Sequence, residues 1–211
     1  MKPLVLLAAL TVLPVLAAPL HVGRFSAGDL TGWISETFRG KPETVYALSK
    51  DGERTVLRAE SRQAASGLLR KVTVSPNDYP FLRWSWKIDH TLRKENAHTR
   101  EGDDFAARVY VIFPGRFFWQ TRAINYVWSA RLPQGTVLPN AYTNNTMIVA
   151  VESGEGRVRQ WVSEERNIAE DFRKFFGEDP PRLGGVAVMT DTDNTGEEAV
   201  AWYGDIVLET R

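Results

Sequence analysis

Gly102-Asp103-Asp104-Phe105-Ala106-Ala107-Arg108-Val109-Tyr110-Val111-Ile112-Phe113-Pro114 is the stretch whose reading decides the fold. Side chains alternate faces along a strand, so Phe105, Ala107, Val109, Val111 and Phe113 make one apolar face. Asp104, Arg108 and Tyr110 fall on the other face. Charged residues are seldom buried without partners, so an acid and an arginine on a central strand imply a use for them. Four residues of strand span about 13 Å, too far for Asp104 and Arg108 to pair directly. Each is expected to find a partner on a neighbouring strand, in water or in a ligand. The expectation is that this second face looks into a groove.

Short strands surround this one. Phe81 to Asp89 alternates cleanly, with Leu82, Trp84, Trp86 and Ile88 on one face and Arg83, Ser85, Lys87 and Asp89 on the other. Thr44 to Ser49 and Arg54 to Glu60 flank an Asp51-Gly52 hairpin signal. Ala65 to Val74, Ala123 to Ala130 and Thr146 to Glu152 read as further strands, with Arg157 to Val162 as hairpin partner of the last. Gly184 to Thr192 and Val200 to Glu209 close the chain. The spacing predicts one helix, Glu164 to Phe176, capped by Ser163, with Ile168, Phe172, Phe175 and Phe176 on one stripe. His90 to Gly102 reads as an exposed loop and Pro133 to Asn145 as turns. Many short strands with one packed helix predict an all-β fold, a β-sandwich of the jelly-roll kind.

The N-terminus sits apart from this pattern. Met1-Lys2-Pro3, an apolar run from Leu4 to Leu16 and then Ala17-Ala18 form a signal-peptide pattern over residues 1–17. The apolar run is shorter than the roughly 20 residues that span a bilayer, so no stable membrane span is expected. Residues 18–211 are then one exported domain, periplasmic or secreted. The 26 basic residues balance 26 acidic ones, which leaves no basic excess for nucleic acid. Cysteine is absent, so the exported domain must hold together by packing or bound ions. Seven Trp, six Tyr and ten Phe supply bulk for such a core.

Several blocks carry a resemblance. They are Trp84-Ser85-Trp86-Lys87, Gly102 to Tyr110, Ala123 to Trp128, Arg166-Asn167, Met189 to Gly196 and Trp202-Tyr203-Gly204-Asp205. Together they resemble a bacterial exported family known as domain of unknown function 3047, over most of the chain. That family implies no established activity and no catalytic residues. Phe25 with Gly32-Trp33 near the start, and Gly204 to Leu208 near the end, are more loosely similar to jelly-roll carbohydrate-binding modules. That likeness implies first and last strands lying side by side, and bears on fold more than on function.

The polar residues suggest a ligand site. Asp104, Arg108, Tyr110, Asn125 and Asp191 are expected to line one concave face, with Trp128 or Trp84 as an aromatic platform. Sugar hydroxyls suit carboxylates and amides, and sugar rings suit aromatic faces. The alternative is a network of salt bridges holding strand register. Asp191-Thr192-Asp193-Asn194-Thr195-Gly196 is oxygen-rich, and its Asp191 and Asp193 are candidate calcium ligands. The twelfth position of that loop is Trp202 rather than Glu, so the pattern departs from an EF-hand, and Asp and Asn are also ordinary turn formers. Asp103 or Asp104, Glu152, and Glu164 or Glu165 offer acid pairs of the kind glycoside hydrolysis needs. Phe117-Phe118-Trp119 is either a loop-tip cluster for a polymer or membrane surface, or a satellite core. Three scattered His and no Cys argue against zinc. No Gly-x-Ser-x-Gly and no phosphate loop occur.

The leading expectation is an exported, non-catalytic binding domain for a glycan or other envelope ligand, with Asp104 and Arg108 as polar anchors. A carbohydrate-active hydrolase or lyase using carboxylates in the same groove, and a structural envelope protein, are the alternatives.

Overall fold

The computed structural model describes residues 18–210, and the expected signal segment lies outside them. In chain order the strands are β1 (Leu20–Gly23), β2 (Trp33–Thr37), β3 (Val45–Asp51), β4 (Arg54–Arg62), β5 (Ser66–Lys71), β6 (Phe81–Ile88) and β7 (Ala107–Phe113). They continue with β8 (Arg122–Ser129), β9 (Val137–Asn140), β10 (Thr143–Ser153) and β11 (Val162–Asn167), then helix α1 (Ile168–Phe176), then β12 (Gly185–Met189), β13 (Glu198–Tyr203) and β14 (Ile206–Glu209).

These strands form two seven-stranded sheets packed as a jelly-roll β-sandwich. The first runs β1-β14-β6-β13-β4-β3, with β11 on the other edge of β6; the second runs β2-β5-β12-β7-β8-β10-β9. β1 lies antiparallel to β14, so the first and last strands are neighbours as the resemblance implied. β7 is central, between β12 and β8, with Arg108 opposite Met189 on one side and Val127 on the other.

The alternation read from sequence builds the core. Leu82, Trp84, Trp86 and Ile88 of the first sheet are buried against Val109, Val111 and Phe113 of β7 and Ile124, Tyr126 and Trp128 of β8. Trp84 stacks on Tyr126 at 5.4 Å between ring centroids, and Trp86 meets Trp128 at 6.1 Å. Helix α1 closes one end, with Phe172 against Phe113 at 4.5 Å.

A second, smaller core lies on the opposite face of the second sheet. It joins Phe105, Val127, Ile148 and Ala150 to Ala97 and Leu132. The segment 90–102 roofs it, so the loop expected to be exposed is exposed only in part. Leu92, Glu95 and Ala97 within it are buried. Glu95 pins the segment: its carboxylate accepts from the Ser129 hydroxyl and from the Ala130 N–H at 2.8 Å. Burial pushes the Glu95 carboxyl up to about 7, against the pull of those donors.

Other expectations shift where long-range pairing wins over local pattern. The helix begins at Ile168 rather than Glu164, and Asn167, not Ser163, caps it by accepting from the Glu170 N–H at 3.1 Å. Residues 163–167 instead continue β11 along β6, from Val162 opposite Trp86 to Asn167 opposite Phe81. The expected hairpin of 157–162 with 146–152 does not form, because β10 pairs with β8 in parallel and with β9 antiparallel. β9 falls in a stretch read as turns, and β1 and β2 in stretches to which no strand was assigned.

The β11 edge carries a titrating group. Burial and the nearby Glu152 charge push the Glu164 carboxyl up to about 7. A carboxyl whose folded value exceeds its unfolded value costs stability when ionised. Its share of stability is therefore present at acid pH and lost as pH rises from the ordinary value of about 4.5 through 7. Glu164→Gln is expected to raise the thermal midpoint at pH 8 and to leave it unchanged at pH 4. Thermal melts of both proteins at the two values check this, and equal midpoints at pH 8 would refute it.

Candidate functional site

Arg108 is the centre of the site. Its side chain leaves β7 on the face away from the main core and is buried. Nε donates to Asp191 Oδ1 at 2.8 Å, and Nη2 donates to the second oxygen of the same carboxylate. Nη1 donates to Asp103 Oδ1 and to the Tyr110 hydroxyl, both at 3.2 Å, and Nη2 also reaches the Asp103 carbonyl at 2.5 Å. The Phe105 ring lies under the guanidinium at 4.5 Å. Desolvation opposes the charge on Arg108, but Asp191, Tyr110 and Asp103 outweigh it, and the guanidinium is held well above its ordinary range. Burial works to raise the Asp191 carboxyl and Arg108 works to lower it. The two-point contact makes the ion pair the state that the fold holds. Burial also pushes the Tyr110 phenol up to about 12.

Asp104 has a different task from the one expected. The strand begins only at Ala107, so Asp104 and Phe105 sit in the approach to it and do not follow its alternation. Phe105 belongs to the smaller core, across the sheet from Ala107. Asp104 Oδ2 accepts from the N–H groups of Asn194 at 3.0 Å and Thr195 at 2.6 Å, and Oδ1 accepts from the Asn194 side chain at 3.1 Å. It is buried and spent on shaping the 191–196 loop, where Gly196 takes the left-handed φ of 69°. Gly102 brings this approach against Asn96: a Cβ there would lie 2.6 Å from the Asn96 backbone nitrogen.

Beside Arg108 opens a cavity of about 350 Å³. Asp103, Arg108, Tyr110 and Asp191 line it deep down, with Asp193, Asn194, Asn140 and Thr146 above. Phe38, Lys41 and Tyr142 stand at the mouth. Tyr142 is 51% exposed and Phe38 48% exposed. The Tyr142 hydroxyl donates to the Arg100 carbonyl or to Asn194 Oδ1, each at 3.2 Å, which fixes the ring. The Asn140 side chain donates to Asp103 Oδ2 at 2.6 Å, and Lys41 Nζ pairs with Asp193 Oδ2 at 2.7 Å.

Of the residues expected in the site, Arg108, Tyr110 and Asp191 come together on the cavity. Asn125 stands opposite Tyr110 in the ladder and on the same face, but is fully buried, and neither its Oδ1 nor its Nδ2 finds a partner. Trp128 does not belong to the site. It pairs with Ala107, one residue from Arg108, so its ring enters the main core against Trp86, with Nε1 donating to the Gly154 carbonyl at 3.0 Å. Trp84 is likewise in the core. The aromatic walls are instead Phe38, in a stretch to which no element was assigned, and Tyr142, in one read as turns. Asp103 replaces Asp104 as the carboxylate on the cavity, a one-residue difference that alternation counted back from Arg108 could not show.

The three carboxylates of Asp104, Asp191 and Asp193 each offer an oxygen, and these lie within 4.8 Å of one another. That is a spacing a metal ion accepts. Calcium asks for six to eight oxygens free to turn toward it. Here Arg108 holds both oxygens of Asp191, Lys41 holds Asp193, and backbone N–H groups hold Asp104. The residues as arranged do not offer calcium its six to eight free oxygens, because donors already engage both oxygens of Asp191 and of Asp104 and one of Asp193.

No curated protein matches the chain by sequence. Among solved structures it is similar to the family 30 carbohydrate-binding module of a Clostridium thermocellum cellulosomal cellulase, at 10% identity and a TM-score of 0.49, covering 90% of this chain and 96% of that one. It is also similar to a module named CBM27-1 from Caldicellulosiruptor saccharolyticus, solved with mannohexaose, at 10% identity and a TM-score of 0.46, covering 92% of this chain and 98% of that one. These likenesses are of backbone arrangement, and the functional reading rests on the site's own geometry. By sequence, residues 31–207 match a family described as "Protein of unknown function (DUF3047)". That span is most of the chain and includes nearly every block noted above, so the chain belongs to the DUF3047 family.

Proposed function

We propose that the protein is an exported, non-catalytic binding domain that takes a glycan into the cavity beside Arg108. The observation that carries this reading is the pairing of two exposed rings, Tyr142 and Phe38, with a floor of charges that already satisfy one another. A ring face gives an apolar platform for the C–H face of a sugar. Asn140, Asn194, Thr146 and the Lys41–Asp193 pair present donors and acceptors at the mouth for hydroxyl groups. A fixed, hydrogen-bonded floor holds these groups in place, and its three carboxylates outnumber its two cations, so it does not call for an anionic ligand.

The same contacts favour binding over hydrolysis. A glycosidase needs one carboxyl free to give a proton and another free to attack or to activate water. The two-point Arg108 contact holds Asp191, Arg108 and Asn140 hold Asp103, and three donors hold Asp104. None is left in the role of acid or nucleophile. Export rests on the apolar segment at residues 1–17, and recovery of mature protein beginning near residue 18 from the periplasm or medium checks it.

Isothermal titration against oligosaccharides cut from envelope polysaccharides tests the binding reading. Saturable heat with at least one of them is expected. Absence of binding across neutral, acidic and amino-sugar oligomers would refute it.

A further inference from the structure

The loop between β7 and β8 presents three consecutive aromatic side chains to solvent. Phe118 is 84% exposed, Trp119 58% and Phe117 47%. Among the described residues these stand out as an unbroken exposed aromatic run, and the expected satellite core does not form. The loop is held in shape. Gln120 N–H donates to the Phe117 carbonyl at 2.9 Å and Thr121 N–H to the Phe118 carbonyl at 3.1 Å. The Asn145 side chain on β10 donates to the Trp119 carbonyl at 2.7 Å.

We propose that this tip is a membrane-interface anchor, seating Phe117, Phe118 and Trp119 at the headgroup–acyl boundary of an anionic bilayer. Ring geometry separates this from a sugar platform. Phe117 lies flat on Trp119, with centroids 4.8 Å apart and planes 5° from parallel, so each covers a face of the other. Phe118 meets Trp119 nearly edge-on at 5.1 Å and 83°. Phe117 and Trp119 each give one face to the other with Phe118 set edge-on beside them, so the three rings show water a compact apolar wedge, whereas a sugar needs a flat open platform with polar groups around it.

Size separates the tip from a contact between copies. The exposed parts of three rings amount to about 400 Å², half of the roughly 800 Å² that each partner gives to a stable interface. An area of that order is enough to help hold a peripheral protein at a membrane surface when a charge assists. Arg116 supplies the charge, its guanidinium 5.7 Å from the Phe117 ring centroid at the base of the wedge. Arg122 on the far side is engaged by Glu178 and adds little. Trp at the tip is the side chain that interfaces favour, with an apolar ring and one N–H for the wet side.

None of residues 116–119 lines the cavity beside Arg108, so this proposal and the glycan reading are tested by different side chains and stand or fall independently. Co-sedimentation of the mature protein with vesicles of phosphatidylethanolamine and phosphatidylglycerol tests it. The protein is expected in the pellet, Phe118→Ser/Trp119→Ser should weaken binding at least tenfold, and Arg116→Glu should remove the preference for phosphatidylglycerol over phosphatidylcholine. Both variants should keep the thermal midpoint, since the changed side chains are exposed. Should the double variant not fold, Phe118→Ala alone reports the same loss from the most exposed ring. Wild-type protein left in the supernatant, or variants that pellet equally well, would overturn the proposal. A dimer in sedimentation velocity that the double variant abolishes, without vesicle binding, would overturn it in favour of a second copy.

Discussion

Arg108→Met will lower folding stability by about 3–5 kcal/mol, the cost of removing one partner from a buried ion pair. The substitution keeps the side-chain volume and deletes the charge. Asp191 and Asp103 would then face each other in the interior without their guanidinium, and the Asp103 carbonyl and Tyr110 hydroxyl would lose a donor. The loss should depend on pH with a definite sign. Without Arg108, burial and the neighbouring Asp104 and Asp103 charges act on Asp191 unopposed and raise its folded value further above the unfolded one. Such a group costs little at acid pH and progressively more as pH rises. The variant should therefore come closest to wild type near pH 4 and fall furthest behind near pH 8. Arg108→Met/Asp191→Asn should recover part of the loss, because the largest uncompensated charge is gone. Urea unfolding at the two pH values measures all three proteins. A loss under about 1 kcal/mol, the size of an exposed pair, would mean that the network is not what holds β7 to the 191–196 loop.

Phe38→Ala/Tyr142→Ala should reduce glycan affinity by ten- to a hundredfold with the thermal midpoint unchanged. Each ring stands at the mouth of the cavity and about half of it meets solvent, so truncation removes little internal packing. An aromatic contact with a ligand is worth about 1 kcal/mol, and 1.4 kcal/mol is tenfold in affinity. Titration calorimetry gives the affinity and scanning calorimetry the midpoint. Unchanged affinity would remove these two rings as the platform.

The different fates of individual residues show how far the chain could be read before folding. Strands β6, β7 and β8 were legible because each sets an unbroken apolar row on one face, and alternation then dictates every second side chain. Arg108 and Tyr110 were legible as site residues for the same reason: polar positions on an otherwise apolar strand. Alternation also placed Trp128 opposite Asn125, and only its appeal as a ring drew it into the expected site; the core claimed it. Phe38, Lys41, Asn140 and Tyr142 were not legible. They reach the cavity from turns and edge strands distant in sequence, and no local period marks such positions. The helix start failed for a related cause. Glu164 and Glu165 suit a first helical turn, but pairing with β6 satisfies the backbone of 163–167 instead. The buried, unpartnered amide of Asn125 beneath Tyr110 has no account in the contacts of the described residues.

A second groove, about 510 Å³, lies on the first sheet along Arg83, Ser85, Asp205 and Glu209. Polar side chains line it, but it has no exposed ring of the kind that Phe38 and Tyr142 provide. Amide NMR during titration with a bound oligosaccharide separates the two surfaces residue by residue. The largest shifts are expected on Lys41, Asn140, Tyr142 and Asn194, with Arg108 moved less because its partners stay in place. Shifts centred on Ser85, Gly204 and Asp205 instead, with the signals around Tyr142 still, would contradict that expectation.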